Sequence, residues 1–446
     1  MRQQQGARSS GWRCGVRGLL WLLCSLSARP LLADAPAGDR HLGVATCAGS
    51  TCHGATRPFA GSAIRQDEYF IWQRQDPHAG ALRSLQTPEA DAISRRLGMG
   101  PAASAENCLS CHAENVPAAL RGERFVADDG IGCESCHGAS ERWIGTHVKG
   151  YRTDDERLAA GLHATWKPAV RAELCASCHV GDADHRIDHR TMAAGHPPLL
   201  FELDTFTALE PPHWDVDDDY RARKGDADGA RDWAVGQAAA ARRVLAKLMR
   251  TPVAGGLMPE LSLFDCNACH HGTRAGRANA ERNGGMPVGT PPLADTPLVM
   301  LQPWLDLIDP AMAAEWRRHW TALHAAASDS REALQREADA MTRLIDRRIV
   351  PLAERSRLSP LQLRQLVAAI VTAAGDRHRG DFSHAEHTAM AVSVLATAWS
   401  ERQRTPAPTA LKPALDAVYR EVQDRDRFSP ARWTDSLKAV ISALGG

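Results

Sequence analysis

Five pairs of cysteines in this sequence are each followed directly by a histidine. Four of the pairs have two residues between the cysteines and read CLSCH, CESCH, CASCH and CNACH, whereas the first reads CAGSTCH. The cysteines are Cys47, Cys52, Cys108, Cys111, Cys133, Cys136, Cys175, Cys178, Cys266 and Cys269. The histidines are His53, His112, His137, His179 and His270. Residues at positions i, i+3 and i+4 face one side of a helical turn, so each such motif could hold one cofactor.

The C-x-x-C-H pattern is typical of covalent attachment of c-type haem. The two thiols bond to the vinyl groups on one edge of the porphyrin, and the histidine reaches the iron as its proximal ligand. Disulfide bonds would suit an exported protein, but they give no reason for a histidine after each second cysteine. Zinc sites usually combine two C-x-x-C units within a short span, whereas the pairs here are far apart along the chain. We therefore predict about five covalently attached haem c groups.

The first motif differs from the others because four residues separate Cys47 from Cys52. The two additional residues can bulge outwards while both thiols still reach the haem. A disulfide between Cys47 and Cys52 is the alternative, but it leaves His53 unexplained. We expect a fifth haem at this motif.

A haem iron can take a second histidine, which gives an electron-transfer centre, or keep an open position, where small molecules bind. The strongest candidates for a second, distal ligand are His78, His147 and His196, and His41, His189 and His185 follow. Weaker candidates are His163, His213 and His271. We expect the histidines of the C-terminal region to lie mostly at the surface: His319, His324, His378, His384 and His387.

The N-terminus has the form of a secretory signal peptide. Basic residues precede the apolar run LLWLLCSLSA, which is too short to span a bilayer, and Ala33-Asp34-Ala35 has the small-x-small form of a cleavage site. We predict that residues 1–35 are removed after Sec-type export, so that the mature chain begins near Pro36 in the periplasm. An uncleaved membrane anchor is the alternative. The formal net charge of zero gives no reason to expect a nucleic-acid partner.

The rest of the sequence predicts a mainly α protein in three parts. Residues 36–210 form a haem-rich domain with little regular structure, organised around the covalent haems. Residues 211–297 contain an acidic surface loop at 213–230, a helix from about residue 231 to 250, the fifth motif and a loop rich in glycine, proline and arginine. Residues 298–446 form a helical bundle without haem.

Capping signals mark helix starts in the C-terminal part. Ser359-Pro360-Leu361-Gln362 is a capping box with proline at the first helical position. A second box at 383–386 precedes a helix that ends near Arg402, and Asp329 with Glu332 marks another start.

From Gly43 to about Val180 the chain resembles the cytochrome c554 family of multihaem cytochromes. The matching segments are the first motif, IWQRQDPHAGALRSL, NCLSCH, GIGCESCHG, GTHVKG and ELCASCH. The chain departs from the family in its four-residue spacing at the first motif, in its fifth motif LFDCNACHH and in its haem-free C-terminal third. It also lacks the C-x-x-C-K motif of the pentahaem nitrite reductases.

This resemblance implies a set of distal ligands. His147 would be the distal ligand of the haem on His53, and His78 that of the haem on His137. The haem on His112 would have no distal protein ligand. The family also has a distal histidine for the haem on His179, for which His196 is our candidate.

Two functions follow from these patterns. In the first, the protein is an electron carrier with largely bis-histidine haems, and its partners are other periplasmic or membrane-bound redox proteins. In the second, it is a redox enzyme that acts on nitric oxide, nitrite, hydroxylamine or peroxide at an open haem on His112. The sequence favours the carrier, and it does not determine an oligomeric state.

Overall fold

The computed structural model describes residues 38–445 except for 62–63, 183–184, 251–259, 267–268, 271–289, 378–381 and 404–405. The expected signal peptide, His271, His378 and most of the loop predicted at 272–297 lie outside the described residues. The described part of the chain contains many helices and no β-strand, and isolated bridges join His41 with Arg121 and Phe264 with Leu293. The prediction of a mainly α fold is therefore confirmed.

The N-terminal part consists of short helices joined by loops. The α-helices are Val44–Cys47, Glu68–Gln75, Ala81–Ser84, Pro88–Arg96, Glu106–His112, Cys133–His137, Asp154–Ala159, Pro168–His179, His189–Ala193, Leu203–Leu209 and Asp218–Lys224. Single 3-10 turns cover Pro77–Gly80, Ala102–Ser104, Ala118–Leu120, Ala127–Asp129 and His147–Lys149. One apolar cluster of this part is small, with Leu82, Leu85, Ala102 and Ala113 as its buried members. Side chains alone therefore supply little core here, as expected for a segment organised around large apolar cofactors.

Glycine stops one of these helices directly after a cysteine–histidine motif. Gly138 follows helix Cys133–His137 with a φ of 87°, a conformation that residues with a Cβ rarely adopt. A Cβ at this position would lie 2.4 Å from the carbonyl oxygen of Gly161. The chain therefore turns at once behind His137, and a neighbouring loop packs against the turn.

The acidic segment 213–230 is not purely a loop, which corrects the prediction. Asp217 caps helix Asp218–Lys224 by accepting a hydrogen bond of 2.8 Å from the backbone NH of Tyr220. The sequence DDDY, which we interpreted as a solvated run, combines an N-cap with acidic residues in the first turn.

The C-terminal part is a bundle of longer helices. They are Gly229–Arg250, Thr296–Ile308, Pro310–Ala327, Arg331–Leu344, Val350–Arg355, Pro360–Arg377, Phe382–Arg402, Leu411–Glu421 and Pro430–Ala443, with a π-turn at Ile345–Ile349. The predicted box at Ser359 is confirmed, because its backbone NH donates to Gln362 Oε1 while its Oγ accepts from the NH of Gln362. Helix Arg331–Leu344 is capped by Ser330 and not by Asp329 as predicted.

A single core crosses the boundaries that we expected at residues 210 and 297. Ala172 and Ala176 of helix Pro168–His179 are fully buried in the same apolar cluster as residues of helix Gly229–Arg250 and of the later helices. The described residues accordingly form one compact unit. None of the described helices is both long enough and apolar enough to cross a bilayer.

Ion pairs also join the helix that carries the fourth motif to the bundle. Arg171 donates to Asp232 at 2.5 Å, and Arg242 donates to Glu173 at 3.0 Å. These pairs lie beside the buried alanines of the same helix, so polar and apolar contacts together fix its position. Helix Gly229–Arg250 therefore supports the helix of the fourth motif directly.

Three histidines of the C-terminal region are buried, which contradicts our expectation of surface positions. His324 is 3% exposed, and its Nε2 lies 2.8 Å from Asp295 Oδ2. His384 and His387 are also buried within helix Phe382–Arg402. The carboxylate of Asp295 thus satisfies His324, and the carbonyl of Ser383 accepts from His387 Nδ1 at 2.8 Å.

Candidate haem-binding sites

Each cysteine pair lies on, or beside, one helical turn that ends at its histidine. Helices Glu106–His112, Cys133–His137 and Pro168–His179 all end at the histidine of their motif. At the fifth motif the backbone NH of His270 donates to the carbonyl of Cys266 at 2.8 Å, which is one isolated helical turn. On these three helices both thiols and the histidine of a motif therefore project from the same side, as attachment to one porphyrin edge requires.

The longer first motif does not lie on a single helical turn. Helix Val44–Cys47 ends at the first cysteine, and the following residues form a turn. The backbone NH of His53 returns to the carbonyl of Cys47 at 3.2 Å, so the additional residues bulge outwards as expected. All ten cysteines of the motifs, which are among the described residues, carry free thiols and form no disulfide.

Five pairs of histidine rings face one another, and each pair contains one motif histidine. The distances between ring centres are 6.2 Å for His53 and His147, 6.1 Å for His179 and His78, 6.5 Å for His112 and His196, 6.3 Å for His137 and His213, and 6.3 Å for His270 and His189. No motif histidine lacks a facing histidine. The pairs thus come from ten different positions along the chain.

The separation of these rings fits two ligands of one iron. An imidazole nitrogen lies about 2 Å from a bound metal ion and its ring centre about 1 Å further away, so two rings on one iron have centres about 6 Å apart. The donor chemistry fits as well, because each pair adjoins two thiols that can attach the porphyrin.

The structure pairs two of the distal candidates with other motif histidines than expected, one from the family resemblance and one our own candidate. His78 faces His179 instead of His137, and His196 faces His112 instead of His179. The ring that faces His137 belongs to His213, which we had ranked among the weaker candidates. Each facing histidine lies far along the chain from its motif, so sequence spacing does not determine which motif it approaches. His213 and His196 both adjoin two prolines, a shared signal that could have raised the rank of His213.

The expected open position on His112 is also absent from the structure. His196 stands opposite His112 with the two ring planes at 84°. By contrast, the structure brings His147 opposite His53, as the resemblance implied, and His189 opposite His270.

His41, a further distal candidate, is placed elsewhere. Its Nδ1 is hydrogen-bonded to Glu114, and Glu134 completes a group of three possible metal-binding side chains. Glu134, however, already accepts backbone NH groups from Leu42, Gly43 and Ser140 at 2.7–2.9 Å. This group therefore ties the N-terminal segment to the third motif.

Burial keeps several of the facing histidines neutral, as metal ligation requires. Burial, with the nearby charges of His213 and His53, lowers the pKa of His137 to about 3. Burial, with the charges of His78 and His112, lowers the pKa of His179 to about 4. Burial also lowers the pKa of His112. These rings keep a lone pair available for iron at neutral pH.

Other facing histidines are held by hydrogen bonds at Nδ1, which leaves Nε2 for a metal. His53 Nδ1 lies 3.0 Å from Glu68 Oε2, and this bond raises the pKa of His53. His147 Nδ1 donates to the carbonyl of Ile144 at 2.7 Å. A hydrogen bond at one ring nitrogen fixes both the tautomer and the ring orientation of a metal ligand.

The attachment sites adjoin one another in an order that differs from their order along the chain. A hydrogen bond with Cys133 lowers the pKa of Cys47, so the first and third sites are neighbours. A hydrogen bond with Cys111 lowers the pKa of Cys178 to about 6, so the second and fourth sites are neighbours. Burial and the nearby Cys175 raise the pKa of Cys136, which connects the third site to the fourth.

One short segment serves both the second and the fifth sites. His189 faces the fifth motif, and His196, seven residues later, faces the second. The first four sites therefore adjoin in the order first, third, fourth, second, and this segment connects the second site to the fifth along the chain.

The comparisons with known proteins agree with the chemistry of these motifs. Residues 46–138 match the family model described as cytochrome c554 and c-prime. The match covers the first three cysteine pairs and ends before Cys175. No curated protein and no solved structure matches the chain.

Proposed function

We propose that this protein carries electrons through five haem c groups, each with two histidine ligands; the match of residues 46–138 to the cytochrome c554 and c-prime model supports a c-type cytochrome with covalently bound haem. Haem c supplies one-electron chemistry at its iron. The protein supplies the thiols that attach each porphyrin, the two rings that close each iron, and the helices that hold the sites in series.

The observation that carries this proposal is the set of five facing histidine pairs. An enzyme that acts on a small nitrogen compound or on peroxide needs an iron with an exchangeable position. The resemblance offered one on His112, but His196 faces that ring at 6.5 Å. Five closed irons favour an electron carrier over the enzyme.

Exposed thiols suit three of the sites to exchange of electrons with other proteins. Cys52 of the first site is exposed, as are Cys136 of the third site and Cys266 and Cys269 of the fifth site. Porphyrin edges attached at these thiols would lie near the surface, where a partner can approach. We propose that the partners are other redox proteins of the periplasm or its membrane, reached after removal of residues 1–35.

Expression of the full chain in a bacterium that matures c-type cytochromes tests this proposal. The alkaline pyridine spectrum of the purified protein, compared with its concentration, should give five haems per chain, and its mass should correspond to a start near Pro36. A variant with Cys108 and Cys111 replaced by alanine serves as the matched control and should give four. Four haems in the unmodified protein would contradict the proposal, as would a chain that stays in the cytoplasm.

A further inference from the structure

The facing histidines differ in the charge of the group that accepts their Nδ1 proton. His53 Nδ1 lies 3.0 Å from Glu68 Oε2, and His78 Nδ1 lies 2.9 Å from Asp76 Oδ1. Both acceptors are carboxylates. Both facing rings therefore bond to a formally anionic group.

The pair at the second motif has neutral acceptors only. His112 Nδ1 lies 2.9 Å from Ser84 Oγ and 3.2 Å from the carbonyl of Ala81. His196 Nδ1 donates to the carbonyl of Pro197 at 2.7 Å. The second site therefore differs from the first and fourth sites in the charge of the groups that accept the Nδ1 protons of its histidines.

The charge of the acceptor acts on the iron through the imidazole ring. A carboxylate that accepts the Nδ1 proton gives the ring anionic character and makes Nε2 a stronger donor, which stabilises ferric over ferrous iron. A neutral carbonyl or hydroxyl has a weaker effect. Because the carboxylates of Glu68 and Asp76 are largely shielded, with side chains 17% and 8% exposed, their charges are only partly screened by water.

One short helix holds both carboxylates. Helix Glu68–Gln75 begins with Glu68, whose other oxygen accepts the backbone NH of Gln66 at 3.0 Å, and it ends at the C-cap Asp76. Asp76 Oδ1 also accepts the backbone NH of His78 at 2.9 Å. The acceptors are thus fixed in place before a haem is attached. The helix extends for about 12 Å between the two sites.

We propose that Glu68 and Asp76 are positioning residues that hold the irons of the first and fourth sites at lower reduction potentials than the iron of the second site. The helix that carries them thereby sets an uneven profile of potentials along the series. This proposal rests on the bis-histidine ligation proposed above. His213 is not part of this proposal, because its Nδ1 lies 3.9 Å from Glu210 Oε1, too far for a hydrogen bond.

The test measures potentials of the haem-loaded protein by redox titration, monitored by visible and electron paramagnetic resonance spectra. The variants are Glu68→Gln and Asp76→Asn, which keep the size of the acceptor and remove its charge. In each variant the reduction equilibrium of one iron should shift about tenfold towards the ferrous form, which is about 59 mV for one electron. Ser84→Ala is the matched control, because the carbonyl of Ala81 remains, and its shift should be much smaller.

The outcomes separate this proposal from the proposed function. Five low-spin haems with unchanged potentials in both carboxylate variants would overturn the role of Glu68 and Asp76 and leave the ligation intact. A high-spin iron in the unmodified protein would instead contradict the ligation. If Glu68→Gln fails to retain its haem, Glu68→Asp keeps the charge and should titrate like the unmodified protein. A single potential shared by all five irons of the unmodified protein would also overturn the proposal.

Discussion

Replacement of His196 by alanine should open one iron of the protein and leave the other four closed. His196 is the facing partner of His112, at 6.5 Å between ring centres, and its Nδ1 bonds only to the neighbouring carbonyl of Pro197 among the described contacts. The side chain is half-buried and belongs to neither apolar cluster, so its loss creates no large cavity. One iron in five should therefore become high-spin without a loss of folding.

Two assays measure directly how many irons per chain become high-spin. The electron paramagnetic resonance spectrum of ferric His196→Ala should show a high-spin signal equivalent to one iron per chain, and the reduced variant should bind one equivalent of carbon monoxide. His185→Ala is the matched control, because His185 is also half-buried but bonds to Asp182 at 2.9 Å and faces no motif histidine. If His196→Ala keeps five low-spin irons and binds no carbon monoxide, the pairing of His196 with His112 is refuted.

Three further changes test the packing of the bundle. Gly236→Ala should destabilise the protein by about 1 kcal/mol, although alanine favours helices more than glycine does. The reason is that the new Cβ would lie 2.5 Å from Leu203 Cβ. A variant that is more stable in denaturant titrations would contradict this contact. Gly375→Ala should stabilise the protein by up to about 1 kcal/mol, because a Cβ added at this position would have no atom within 4 Å. A destabilised variant would contradict this open space. Burial lowers the pKa of Lys247 to about 8. The lysine of the unfolded chain titrates near 10.4, so between about pH 8 and 10 the unfolded state binds more protons than the folded state. Over this range the unfolding free energy of the unmodified protein should rise by on the order of 3 kcal/mol relative to that of Lys247→Met. Parallel plots of unfolding free energy against pH for the two proteins would contradict this.

The attachment sites could be predicted from the sequence because their chemistry is local. Two thiols and a histidine within one helical turn form a complete motif, and the structure places the second, third and fourth motifs on helices that end at the histidine. The capping box at Ser359 is local in the same sense, since four consecutive residues contain both of its hydrogen bonds.

The facing histidines could not be assigned in the same way, because they depend on long-range packing. His78 and His213 lie on different loops, and only the folded chain shows that the first approaches His179 and the second His137. The shared core was missed for a similar reason. The alanines that pack against helix Gly229–Arg250 lie within the fourth motif helix, in the part of the chain that we predicted as a separate haem-rich domain.

The measurement that tests the central claim most directly is the electron paramagnetic resonance spectrum of the unmodified ferric protein. The ring planes are at 18° and 30° in the pairs of His53 and His270, and at 82–84° in the other three pairs. Perpendicular rings leave two iron d orbitals nearly equal in energy, which gives a low-spin signal with a large maximum g value, whereas nearly parallel rings split these orbitals. The account predicts three signals of the first kind, two of the second and no high-spin iron. A high-spin signal equivalent to one iron per chain, abolished by nitric oxide, would contradict it.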